Sequence, residues 1–154
     1  MKKLVLLALS VLLMEGMAGV CPASEKRGTA GEAEKLVKNA VEMLKAKGKD
    51  ATFREINRDG SPFVDRDLYL FVIDTKGNTL AHGFNKKLIG RNMYELRDPN
   101  GKFFIKEFIA LAQNKGKGWV DYLFTDPITK KIEEKSTYVV GHENLVIGCG
   151  IYKQ

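Results

Sequence analysis

Leu68-Tyr69-Leu70-Phe71-Val72-Ile73-Asp74, then Thr75-Lys76-Gly77-Asn78, then Thr79-Leu80-Ala81-His82-Gly83-Phe84, is the stretch that decides the fold. The first run is rich in β-branched and aromatic side chains and stops at a turn carrying Gly and Asn. A second run resumes at Thr79, which spells a β-hairpin. Leu68, Leu70 and Val72 share one parity, Tyr69, Phe71 and Ile73 the other. Successive side chains of a strand point to opposite faces, so both faces here are apolar. Such a strand belongs to a sheet that is covered on both sides.

Working outward, Glu32 to Lys47 places Ala33, Leu36, Val37, Ala40, Val41 and Leu44 at steps of three and four, the period of an amphipathic helix, with Gly48 as its stop. Ala51 to Val64 reads as mixed and polar, with turn signals at Asp59-Gly60 and Ser61-Pro62. Beyond the hairpin, Lys102 to Lys115 predicts a second helix, opened by Asp98-Pro99-Asn100-Gly101 and closed by Gly116 to Gly118. Three further strands follow at Trp119 to Phe124, Lys135 to Val140 and Leu145 to Tyr152. The expected class is therefore α+β: a long N-terminal helix on a five- to six-stranded antiparallel sheet, with a helix between its second and third strands.

The chain has 154 residues, enough for one domain, and 44% are hydrophobic, too many for a disordered chain. Its net charge of +6 comes from scattered lysines with acids nearby, so no nucleic-acid partner is expected. Lys2, Lys3 and the apolar run Leu4 to Leu13 have the form of a signal peptide, with Cys21-Pro22-Ala23 as the cleavage site before Ser24. An uncleaved anchor or a lipid on Cys21 are the alternatives. The organisation expected is a signal peptide over 1–23, a flexible leader over 24–31 and one domain over 32–154, exported to the periplasm or secreted, with no membrane span after cleavage. Only Cys149 then remains, inside an apolar run, where it reads as an inert core thiol.

Catalytic signatures are wanting. His82 and His142 lack metal-ligand spacing, the loop at Asp98 has Ile109 where a calcium loop needs a bidentate Glu, and no Gly-x-Ser-x-Gly elbow occurs. The reading is no enzyme, no catalytic residue, no metal and no cofactor.

The segment Asp67 to Tyr152 carries a familiar ordered pattern: Tyr69 to Asp74, Gly77, Leu80-Ala81-His82, Leu88-Ile89-Gly90-Arg91-Asn92, Asp98 to Lys102, Gly118-Trp119-Val120-Asp121-Tyr122, Pro127, Lys135, Tyr138-Val139 and Val146 to Tyr152. It resembles the single Cache domain of type 2, an extracytoplasmic ligand-sensing relative of the PAS fold. The family usually has Pro where this chain has Gly83, and often an aromatic-Gly-Trp turn where it has His142-Glu143-Asn144-Leu145. Family members commonly sit in chemoreceptors and histidine kinases, so the resemblance implies a periplasmic module that binds a small molecule.

Five residues are the candidates for that site: His82, Trp119, Tyr122, Lys135 and Tyr138. His82 shares a parity with Leu80 and Phe84. Tyr122 and Tyr138 are phenols on apolar strands and need partners when buried. Lys135, which the family pattern also places at the site, would pair with a carboxylate, and it is expected to be the most ligand-critical side chain. Trp119 and Tyr122 lie on opposite parities, as do Lys135 and Tyr138, so all five cannot share a face without a bulge. The expected ligand is a short organic acid, bound without turnover, with a membrane sensor as the partner that reads it. The alternative is a structural or interaction protein that docks such a sensor and binds no small ligand.

Overall fold

The computed structural model describes residues 26–153. The expected signal peptide, its cleavage site and Cys21 lie outside the described residues.

Thr29 opens the first helix, α1 (Ala30–Asn57), with a reciprocal cap. Its hydroxyl accepts the Glu32 backbone N–H while the Glu32 carboxylate accepts the Thr29 N–H, satisfying two otherwise orphaned donors. Ala33, Val37, Ala40 and Leu44 are buried at the spacing that the sequence displays. Gly48 does interrupt the helix, with φ 77°, but the chain resumes helical geometry and runs on to Asn57. The stretch after Gly48 was expected to be irregular. It is helical although it buries only Thr52 and Ile56, too few apolar positions to display a period.

The strands are β1 (Val64–Asp65), β2 (Leu68–Asp74), β3 (Thr79–His82), β4 (Lys117–Thr125), β5 (Ile132–His142) and β6 (Leu145–Tyr152), and α2 (Phe104–Lys115) joins β3 to β4. They form one six-stranded sheet in the order β1-β2-β6-β5-β4, with β3 pairing β2. Every pairing is antiparallel.

The two parities of β2 serve two cores. Leu68, Leu70 and Val72 join Ile147 and Cys149 beneath α1. Phe71 and Ile73 join Val139, Val146 and the Phe104, Phe108 and Ala112 face of α2. Each such side chain contributes about 1.5–3 kcal/mol by leaving water.

The segment ahead of α1 is tied down rather than loose from Arg27 onward. Arg27 bridges Asp126 (2.5 Å) and Asp67 (3.4 Å), both fully buried carboxylates. The Gly28 N–H donates to Asp67 as well. Hydrogen bonds from the Ile128 and Thr129 N–H groups, together with Arg27, keep Asp126 below the ordinary carboxylate range despite its burial.

Candidate ligand-binding site

Direct antiparallel partners share a face, and the register sets Tyr122 opposite Lys135 and Lys135 opposite Tyr152. A row of phenol, ammonium and phenol thus crosses β4, β5 and β6 on the side of α2. Tyr69 of β2 joins it from the far side of β6. Two glycines of β6 make room for side chains on this face, Gly150 for the lysine and Gly148 for Phe71. A Cβ on Gly150 would overlap Lys135 and Thr137, and one on Gly148 would overlap the Phe71 ring.

The Lys135 side chain is only 1% exposed. Its Nζ donates to the Tyr69 hydroxyl at 2.6 Å and the Tyr152 hydroxyl at 3.1 Å. It also stands 4.1 Å from the Tyr69 ring centroid and 4.5 Å from that of Tyr152. No carboxylate lies within ion-pair distance of it among the described residues. Burial therefore dominates, and pushes the ammonium down to about 7. Burial pushes the phenols the other way, so all three stay protonated. The Tyr152 hydroxyl donates to the Thr125 carbonyl at 2.7 Å, and the Tyr122 hydroxyl is 3.0 Å from Thr137 Oγ1. A charged lysine has three N–H donors, and the two hydroxyls use two.

His82 pairs with Phe71 across β2 and β3, so it faces the same side. Its ring stacks on Tyr69, centroids 5.1 Å apart. Its Nδ1 accepts the backbone N–H groups of Asn85 (2.9 Å) and Phe84 (3.3 Å), which leaves the proton on Nε2. Burial, with Lys135 adding to it, pushes the imidazole down to about 4, so it is neutral and a donor at physiological pH. Gly83 follows for a visible reason. Its N–H donates to the Leu70 carbonyl at 2.8 Å, a bond that the more usual proline could not make.

Tyr69, Phe71, His82, Phe108 and Tyr122 line a half-open cavity of about 40 Å³, with Lys135 held behind that wall by the Tyr69 hydroxyl. At ~10–15 Å³ for each water-sized sphere, it admits only a few non-hydrogen atoms as it stands. A neutral imidazole and two phenols on an apolar hollow, with one cation behind the Tyr69 hydroxyl, suit a small anion with an apolar stub.

The five sequence candidates divide. His82, Tyr122 and Lys135 come together on the α2 side. Trp119 and Tyr138 pair with each other across β4 and β5 and face the α1 side. The Trp119 indole N–H donates to Glu34 of α1, and Tyr138 lines an open groove of about 530 Å³ there. No bulge interrupts the β4–β5 pairing, so parity alone separates them. Tyr69 and Tyr152 were not singled out. Tyr69 shared its parity with Phe71, and Tyr152 becomes visible once the β5–β6 turn sets the register.

The sequence profile described as Single Cache domain 2 matches residues 7–154. The chain belongs to the single Cache domain 2 family. Among curated relatives, this Cache chain is 36% identical over 89 residues to the sensor histidine kinase MctS of Rhizobium johnstonii, covering 56% of this chain and 19% of that protein. It is 29% identical over 90 residues to the methyl-accepting chemotaxis protein McpP of Pseudomonas putida, covering 57% and 16%. The matched part thus spans under a fifth of either relative. Among solved structures, a methyl-accepting chemotaxis protein from Vibrio parahaemolyticus superposes with TM-score 0.69 at 23% identity, covering 79% of this chain and 86% of that one. The periplasmic sensor domain of a chemotaxis protein gives 0.63 at 26%, covering 80% and 90%. A Cache chemosensory domain described for carboxylic acid recognition gives 0.63 at 22%, covering 80% and 88%. The Cache fold is thereby established, an α+β sheet with a long helix. No helix among the described residues is long and apolar enough to cross a membrane.

Proposed function

We propose that this chain is an extracytoplasmic sensory module that reversibly binds a short organic acid without turning it over. The observation that carries this reading is the Lys135 ammonium, 1% exposed and without an acidic partner among the described residues. A buried cation is costly unless an anion meets it. A carboxylate in the adjoining cavity would take the third N–H of Lys135, and the Nε2–H of His82 is a second donor on that wall. The apolar stub would lie against Phe71 and Phe108. The same face carries no second cation in the phenol row, which favours one carboxylate over two.

Two relatives are a sensor kinase and a chemotaxis receptor, and one structural neighbour is described for carboxylic acid recognition. They support a sensory role and a partner that spans the membrane, reached by export through the N-terminal segment. Trp119 and Tyr138, which face away from the cavity, have no part in this proposed site.

A thermal-shift series of straight-chain acids from acetate to hexanoate, with the matching alcohols as controls, tests the reading. The shortest acids should stabilise, by about 2.7 kcal/mol at one hundred times the dissociation constant, and the alcohols should not. Stabilisation by none of the acids would favour the interaction-protein alternative.

A further inference from the structure

A side chain that is 1% exposed can meet a solute only if some wall opens. The cavity beside Lys135 shares Leu96, Phe104 and Phe124 with an outer cleft of about 370 Å³. That shared wall separates the cavity from the cleft, and its three members differ in freedom. Phe104 is 3% exposed, sits on α2 and stacks on Tyr122 at 4.3 Å. Leu96 belongs to the 83–97 connection, which is pinned to the sheet by backbone bonds from Thr79 to Arg91, Gly90 to Thr79 and Met93 to Gly77. Phe124 lies near the end of β4, the strand that closes one edge of the sheet, and is half-buried. It has no polar atom to tether it, unlike its neighbour Tyr122, which is held at Thr137.

The Phe124 ring lies 5.5 Å from Lys135 Nζ and 5.8 Å from the rings of both Phe104 and Tyr122. It therefore occupies the approach to the ammonium from the cleft. On the cleft side stand Arg97, a cation at the mouth, and Ile132, which is 59% exposed.

We propose that Phe124 is the gate between the outer cleft and the cavity beside Lys135, swinging toward the cleft to admit a ligand to the ammonium and closing afterwards. The inference rests on the reading of that cavity as the ligand site. With the ring outward, cavity and cleft become one space, so Phe124 also limits the length of acid that can be held in the closed state.

Carbamoylation by cyanate, read by peptide mass spectrometry, measures access to the Lys135 amine without any acid being bound. Phe124→Ala should speed labelling of Lys135 by about tenfold or more, and Phe124→Leu by a smaller factor if Ala impairs folding. Alkylation of Cys149, buried on the α1 side, reports general loosening and should stay within about twofold. Acceleration at both sites, or at Lys135 only in Met93→Ala on the loop wall, would overturn the gate. The second arm is stopped-flow binding of acetate and butyrate, where Phe124→Ala should raise the association rate and relax the length limit. If no acid binds even the parent protein, the functional reading fails, while the cyanate rates still decide the gate.

Discussion

Replacing Lys135 by Met keeps the length of the side chain and removes its charge; the protein should become more stable and lose its acid. Burial takes the ammonium from 10.5 to about 7. That difference corresponds to a cost of about 5 kcal/mol for holding the charged form in the fold. The unfolded chain keeps the ordinary value, so between about pH 7 and 10.5 it binds more protons than the folded one and stability climbs with pH. The penalty is complete below pH 7 and absent above about 10.5. Against it stand the two hydrogen bonds to Tyr69 and Tyr152, each worth about 1 kcal/mol net, and a further ~1–3 kcal/mol if Tyr69 is left unpaired. The balance favours Met by about 1 kcal/mol near neutral pH, or a rise in Tm of about 3–5 °C for a domain of this size. Urea unfolding near pH 6, 8 and 10 should show the advantage of Met fading as pH rises. Acid binding by the same variant should weaken by about 2–5 kcal/mol. A Met variant less stable than its parent at the lowest pH, or an advantage that does not fade with pH, would refute the account of Lys135 as a strained buried cation.

Acid affinity should itself depend on pH. The free site must hold a proton on Lys135 to meet a carboxylate, so affinity should fall about tenfold for each pH step above about 7. Calorimetry in buffers of different ionisation heat should register proton uptake there. His82, held near 4, should add no step between pH 5 and 8. Gly150→Ala would force its new methyl into Lys135 and Thr137. It should destabilise the fold by about 1–3 kcal/mol and weaken binding by displacing the ammonium, both measurable on one protein sample.

Much of the fold was legible because its governing signals are local. The two apolar parities of β2 already demanded two covering layers, and α1 and α2 supply them. The helical turns after Gly48 were not legible, since Thr52 and Ile56 alone do not make a period. For the site, residue type pointed to His82, Tyr122 and Lys135, and the strand registers bring all three to one face. Trp119 and Tyr138 illustrate the limit of residue type. Both are amphipathic aromatics on neighbouring strands, yet each stands three positions along its strand from the ligand-side row, an odd step that turns it to the other face. The sequence pattern starts its strand at Lys135. The lysine stands instead well inside β5, three residues after Ile132, where removing the side chain would leave a hole and an unpartnered phenol.

The β5 strand carries two messages in alternating letters. Lys135, Thr137 and Val139 are read by the α2 side, Ser136, Tyr138 and Val140 by the α1 side. A single inserted residue after Ile132 would exchange the two alphabets, carrying the cation out to the open groove and the aromatic in to the cavity. A change of length in the 126–131 turn leaves that phase untouched, because β5 is held by partners on both flanks. Lineages of this domain can therefore drift in turn length while the reading frame of β5 against β4 and β6 cannot move by one.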